Sequence, residues 1–203
     1  MKIIGCYNKS VILTYIGICS SVVGMFLAIN NCISIAFICL IISGICDLFD
    51  GQVARKCKRN NIEKEFGIQI DSLADIINFV IFPVILIINI SYKFYVLPVI
   101  ILYSLCGVIR LAWFNVNTKQ TKYIDYYQGL PVTYIALILP VIYLINLIFC
   151  KEINLIILLI TMIICAAFFV INIKVKKPKG IWYGIFGILA ICVIVGILIF
   201  RSL

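Results

Sequence analysis

The chain contains no histidine and only eight acidic residues among 203. Without histidine, and with ten cysteines scattered mostly inside apolar runs and never as a CxxC pair, it has no ligand set for zinc. The cysteines read as small buried apolar residues. Long polar stretches are missing too: none exceeds about twenty residues, and no Pro/Gly/Ser-rich linker divides the chain. This excludes a separate soluble domain and predicts one domain over residues 1–203. What is present is apolar: 65% hydrophobic residues and a mean hydropathy of +1.21, against roughly 45–50% apolar in a soluble domain. The pattern is that of a multi-span membrane protein. The net charge of +9 resides in short loops beside the spans. It fits anionic headgroups or phosphate-bearing substrates, with no nucleic acid expected.

A bilayer core of ~30 Å needs about 20 apolar residues per helix. On that ruler the expectation is an all-α polytopic transmembrane bundle of about seven spans, within a range of six to eight. The spans are Val11–Ile29, Cys32–Arg55, Phe66–Ile90, Phe94–Asn115, Pro131–Cys150, Ile153–Ile173 and Ile181–Phe200. The first lacks a convincing small-residue cleavage site and reads as a retained helix rather than a signal peptide. Tight joints at Asn30-Asn31, Ser91 to Lys93 and Lys151-Glu152 imply antiparallel neighbours. The other joints are longer and basic: Lys56 to Glu65, Val116 to Leu130 and Lys174 to Gly180. With the N-terminus inside, thirteen basic residues fall on the cytoplasmic face against three outside, and Arg110 remains within a span.

Four of the eight acids, Asp47, Asp50, Asp71 and Asp75, flank the first basic loop. Spacings of three and four place each pair on one helical face, and the hairpin turns the pairs toward each other near the inner membrane boundary. A carboxylate inside the membrane costs roughly 2.5–3.5 kcal/mol on insertion scales, and four close together repel unless cations lie among them. Hard oxygen donors favour Mg²⁺, Mn²⁺ or Ca²⁺, and two divalent ions would balance four charges. Gly51 and Ala54 open a groove beside Asp47, which suits either a ligand or close helix packing, and Arg55 is placed to hold a phosphate.

Asp47-Leu48-Phe49-Asp50-Gly51-Gln52-Val53-Ala54-Arg55, followed by Gly67, Asp71 and Asp75, resembles the signature of the CDP-alcohol phosphotransferases, D-x2-D-G-x2-A-R … G-x3-D-x3-D. The spacer of eleven residues between Arg55 and Gly67 is longer than the eight most often seen. The resemblance implies a membrane enzyme that moves the phosphatidyl-type group of a CDP-linked lipid to an alcohol and releases CMP. It implies that Asp47, Asp50, Asp71 and Asp75 hold two ions, Mg²⁺ or Mn²⁺, and that Asp75 is also the general base. Gly51, Ala54 and Arg55 would lie along the CDP, and the protein would be a homodimer.

Three further stretches, Asp71 to Phe79, Arg110 to Val116 and Gln128 to Val132, are similar to the phosphatidylserine synthase branch, so the similarity spans 46–132. Trp113 stands where that branch has a second arginine, and Val80 where a glycine is common. The branch implies L-serine as acceptor and CDP-diacylglycerol or CDP-archaeol as donor, in the cell membrane with the site on the cytoplasmic side. Arg110 is the candidate partner for the serine carboxylate or for the diphosphate, with Asn78 and Asn115 as candidate hydrogen-bonding residues. Glycerol 3-phosphate and inositol phosphate are the alternative acceptors; a divalent-cation transporter is the alternative of another class. Gly129-Leu130-Pro131 is expected to start the fifth helix. Tyr126, Tyr127, Gln128 and the lysine run after Ile173 are assigned to the interface rather than the site.

Overall fold

The computed structural model describes residues 4–120, 126–150, 153–176 and 180–201. Lys2, Lys122, Lys177, Lys179 and the Lys151-Glu152 joint lie outside the described residues, as do the side chains of Tyr126 and Tyr127. The chain forms a helical bundle of α1 (Ile12–Ile29), α2 (Ile33–Lys56), α3 (Asn61–Asp75), a π-helical segment (Ile76–Ile81), α4 (Phe82–Ile90), α5 (Leu97–Gln120), α6 (Ile135–Cys150), α7 (Leu155–Val170) and α8 (Ile181–Phe200). Among the described residues, six helices are long and apolar enough to cross a membrane, with α3 through α4 running as one of them over Asn61–Ile90. The sixth expected span, Ile153–Ile173, is present as the shorter α7, Leu155–Val170. Its 16 residues reach about 24 Å at 1.5 Å per residue, because the chain leaves the helix at Ile171.

Small residues decide how the first hairpin closes. Gly17, Ser21, Gly24 and Ala28 form the buried stripe of α1. A Cβ on Gly24 would fall 2.7 Å from Cys39 of α2 and 2.2 Å from the ring of Phe82, so the backbones meet at a distance no side chain permits. Gly44 receives Ala136 of α6 in the same way, its added Cβ falling 2.5 Å away. Deeper in the bundle, the rings of Phe37 and Tyr143 stack at 4.1 Å, and Ser34 and Tyr143 share a hydrogen bond of 2.7 Å.

The first basic loop is shorter than expected. Only residues 57–60 separate α2 from α3, because Asn60 caps α3 by accepting from the Glu63 amide while Glu63 accepts from the Asn60 amide, each at 2.8 Å. This reciprocal box starts the helix five residues before Phe66.

The π segment is a second departure. Pro83 has no N–H to give the Phe79 carbonyl, and its ring would press on that carbonyl in an α-helix. The chain widens by one residue instead, Phe82 bonding back to Ile77, and the buried Tyr103 hydroxyl donates to the freed Phe79 carbonyl. Val80 sits in this wide turn, and Gly107 of α5 makes room for it: a Cβ at 107 would lie 2.9 Å from Val80.

The third departure is a short antiparallel ribbon, β1 (Tyr126–Gln128) with β2 (Lys174–Lys176), in register Gln128↔Lys174. It joins the segment before α6 to the segment after α7. Gly129 follows at φ +77°, where a Cβ would come within 2.7 Å of the Phe169 carbonyl, so glycine is required. The Gly129 and Leu130 amides then bond the carbonyls of Ile173 and Phe168 at 2.8 and 2.9 Å. Pro131 precedes a 3₁₀ turn, Val132–Tyr134, in extended conformation, so the fifth span begins one residue later than expected.

Candidate active site

The last turns of α2 and the C-terminal half of α3 bring all four aspartates together at one end of the bundle. Carboxylate oxygens of Asp47, Asp50 and Asp71 lie within 4.8 Å of one another. The carboxyls meet across the hairpin, Asp47 with Asp75 and Asp50 with Asp71, within hydrogen-bonding reach. Two carboxylates share such a distance only with a proton or a cation between them. Asp50 is buried at 7% exposure, and one oxygen of Asp75 is enclosed without any partner. An enclosed oxygen with no donor, beside three carboxylates and no histidine or cysteine donor, fits a hard divalent cation. These residues can hold a metal.

Two cavities flank the carboxylates and share Asp50, Gly51, Arg55 and Asp71. The larger, of about 240 Å³, adds Asp47, Asp75, Arg110 and the aromatic side chains of Phe114, Tyr134 and Tyr183. Arg110 is buried at 5% exposure. Its Nε donates to the Leu130 carbonyl at 3.2 Å, and its guanidinium lies 5.3 Å from the centre of the Phe114 ring. The smaller cavity, of about 190 Å³, adds Thr14, Ala54, Arg59 and Gly67. Gly51 leaves open space: a Cβ there would meet only the Arg55 guanidinium, at 3.6 Å. A third, apolar cavity of about 140 Å³ runs from Asp47 between α2, α6 and α8, past Ile45, Leu137 and Ala190.

Asn78 and Asn115 line none of these three cavities. Asn78 is buried against α1, its amide nitrogen 3.4 Å from where a Cβ on Gly17 would stand. The spacing from Asp75 puts both on one face of an α-helix, but the π turn between them advances less per residue and carries Asn78 away. Asn115 exchanges hydrogen bonds with Ser72 at 3.0 and 3.1 Å, tying α5 to α3. Gln128 holds the ribbon to α5 by accepting from the Trp113 indole at 3.0 Å and from Asn117 at 3.3 Å.

Thr14 escaped the sequence reading. Its hydroxyl donates to Asp50 Oδ2 at 3.0 Å across 36 residues of chain. Arg59 and Tyr183 also reach the cavities from outside the resembling pattern. Nothing local distinguishes them from other loop and interface residues; only the folded hairpin and α8 bring them in.

Comparison with known proteins decides the family. The model of the CDP-alcohol phosphatidyltransferase family matches residues 7–171. The chain belongs to that family. The match covers Thr14, all four aspartates and Arg110, and ends before α8, which supplies Tyr183. An archaetidylserine synthase of Methanothermobacter thermautotrophicus is 33% identical over 135 residues, 66% of this chain and 56% of the relative. A CDP-diacylglycerol–serine O-phosphatidyltransferase of Saccharomyces cerevisiae is 35% identical over 112 residues, 51% of this chain and 40% of the relative. One of the same description from Methanocaldococcus jannaschii is 30% identical over 186 residues, 90% of this chain and 83% of the relative. The chain thus spans about half the length of the first two and most of the third.

Proposed function

We propose that the protein is a CDP-lipid:serine phosphatidyltransferase, converting CDP-diacylglycerol or CDP-archaeol and L-serine to the serine phospholipid and CMP. The observation that carries this reading is the meeting of both aspartate pairs beneath two cavities, with Arg55 common to both and Arg110 at the far wall of one. Asp47, Asp50, Asp71 and Asp75 would hold two divalent ions, Mg²⁺ or Mn²⁺. The chemistry supplied by such ions would be charge neutralisation of the diphosphate, polarisation of the phosphorus and stabilisation of CMP as leaving group.

The residues of the chain do the rest. Gly51 and Ala54 let the nucleotide approach the backbone of α2, and Arg55 holds a phosphate by charge-assisted hydrogen bonds. Asp75, with one oxygen unengaged in an enclosed position, accepts the proton of the serine hydroxyl as the oxygen attacks the β-phosphorus. Arg110 binds the serine carboxylate or the diphosphate, its side chain aimed by the Leu130 carbonyl and the Phe114 ring. The lipid tails leave through the apolar cavity beside Asp47. A serine acceptor suits a cavity in which, among the described residues, Arg110 is the one basic residue beyond Arg55; a phosphate-bearing acceptor calls for more positive charge.

The basic loops support a site at the cytoplasmic face of the cell membrane, and the family resemblance supports a homodimer. The test is CMP release by purified protein from a CDP-lipid with Mn²⁺ or Mg²⁺, across serine, glycerol 3-phosphate and inositol phosphate. Release dependent on serine and metal is expected. Release driven by another acceptor would reassign the alcohol, and metal flux without CMP would reassign the class.

A further inference from the structure

The smaller cavity holds a cation that the family pattern does not include. Arg59 lies on the short connection of residues 57–60 and lines the cavity together with Thr14 of α1. Its Nε is enclosed and has no hydrogen-bond partner. An enclosed guanidinium N–H without an acceptor is costly unless something fills that role. The guanidinium packs beside Gly67: a Cβ there would stand 3.4 Å from Arg59 Nη1, at van der Waals contact. Arg55 lines the same cavity from the last turn of α2, and Asp50 and Asp71 close its floor. Two guanidiniums facing a carboxylate floor define a place for an anion that itself carries cations between it and that floor. A metal-bound diphosphate is such a ligand.

We propose that Arg59 is a second phosphate-binding residue of the nucleotide site, gripping the diphosphate of the CDP-lipid together with Arg55. This rests on the CDP-lipid reading above.

The test is ligand-observed NMR titration of the full chain in detergent with Mn²⁺ replaced by diamagnetic Mg²⁺, using CDP and cytidine as probes. Wild type, Arg59→Ala and Arg59→Gln are compared, the last keeping length without charge should the alanine variant fail to fold. A charge-assisted hydrogen bond predicts that CDP binding weakens on the order of ten- to hundred-fold while cytidine binding is unchanged, with Arg59→Lys recovering much of the loss. In turnover, KM for the CDP-lipid rises and KM for serine does not. Equal weakening of CDP and cytidine, or no change in either, overturns the role of Arg59. Failure of the wild type to bind CDP at all would overturn the CDP-lipid reading and this inference with it.

Discussion

Asp75 is distinguished from its three companions by an oxygen that is enclosed and unpartnered. Asp75→Asn keeps the shape and one acceptor oxygen but cannot take a proton. Turnover is expected to fall by on the order of 10²–10⁴-fold, with CDP binding changed much less, as CMP-release kinetics beside a CDP titration will read. Thr14 acts through Asp50, holding one carboxylate oxygen by its hydroxyl. Thr14→Val is expected to raise the Mg²⁺ concentration needed for half-maximal activity several-fold, and Thr14→Ser to restore it. If serine fails to rescue, the methyl packing of Thr14 matters and its hydroxyl does not.

That the aspartates, Gly51, Arg55 and Arg110 gather at one place was legible in the sequence, because a charge inside an apolar helix is conspicuous and helical spacing orients each pair. Asn78 was not, because its placement depends on a turn that widens after Asp75. Thr14 and Arg59 carry no mark of their own, since an isolated hydroxyl or loop arginine reads the same whether or not it meets a carboxylate.

At the scale of elements, the π segment is a consequence of Pro83, and Tyr103 closes the account by donating to the Phe79 carbonyl. Tyr103→Phe leaves that carbonyl buried and unpaired, at a cost of about 1–3 kcal/mol. In a Pro83→Ala background an amide is again present at position 83 to serve the same carbonyl, so the tyrosine should matter less. A double-mutant cycle on detergent unfolding, with strictly additive losses, would count against this linkage. Span positions followed from hydropathy, and the meeting of the two aspartate pairs across the α2–α3 hairpin from helical spacing. The capping box at Asn60 was readable as Asn-x-x-Glu but lay hidden in a run of charges. The ribbon gave no signal: its strands are three residues each, nearly fifty residues apart, and too short for an alternation to be told from chance. The exchange of bulk between Val80 and Gly107 was equally invisible, since a departure at one position is explained only by its partner across the bundle.

For the whole molecule, the carboxylates sit where three cavities meet, two with guanidinium groups in their walls and one apolar between α2, α6 and α8. The apolar one is the expected seat of the lipid tails. Ala190→Trp would fill its α8 wall, with turnover of a long-tailed CDP-lipid expected to fall at least several-fold and binding of tail-free CDP unchanged. Equal loss for both ligands would place the tails elsewhere.

That third cavity adjoins helices whose outer surfaces are apolar. A donor lipid arriving from that side need not be extracted into water before its headgroup meets Asp47. The effective dose is then set by how crowded the donor is among its neighbours in the two-dimensional sheet, so bystander lipid or added detergent should slow the reaction even when the donor per litre is held constant.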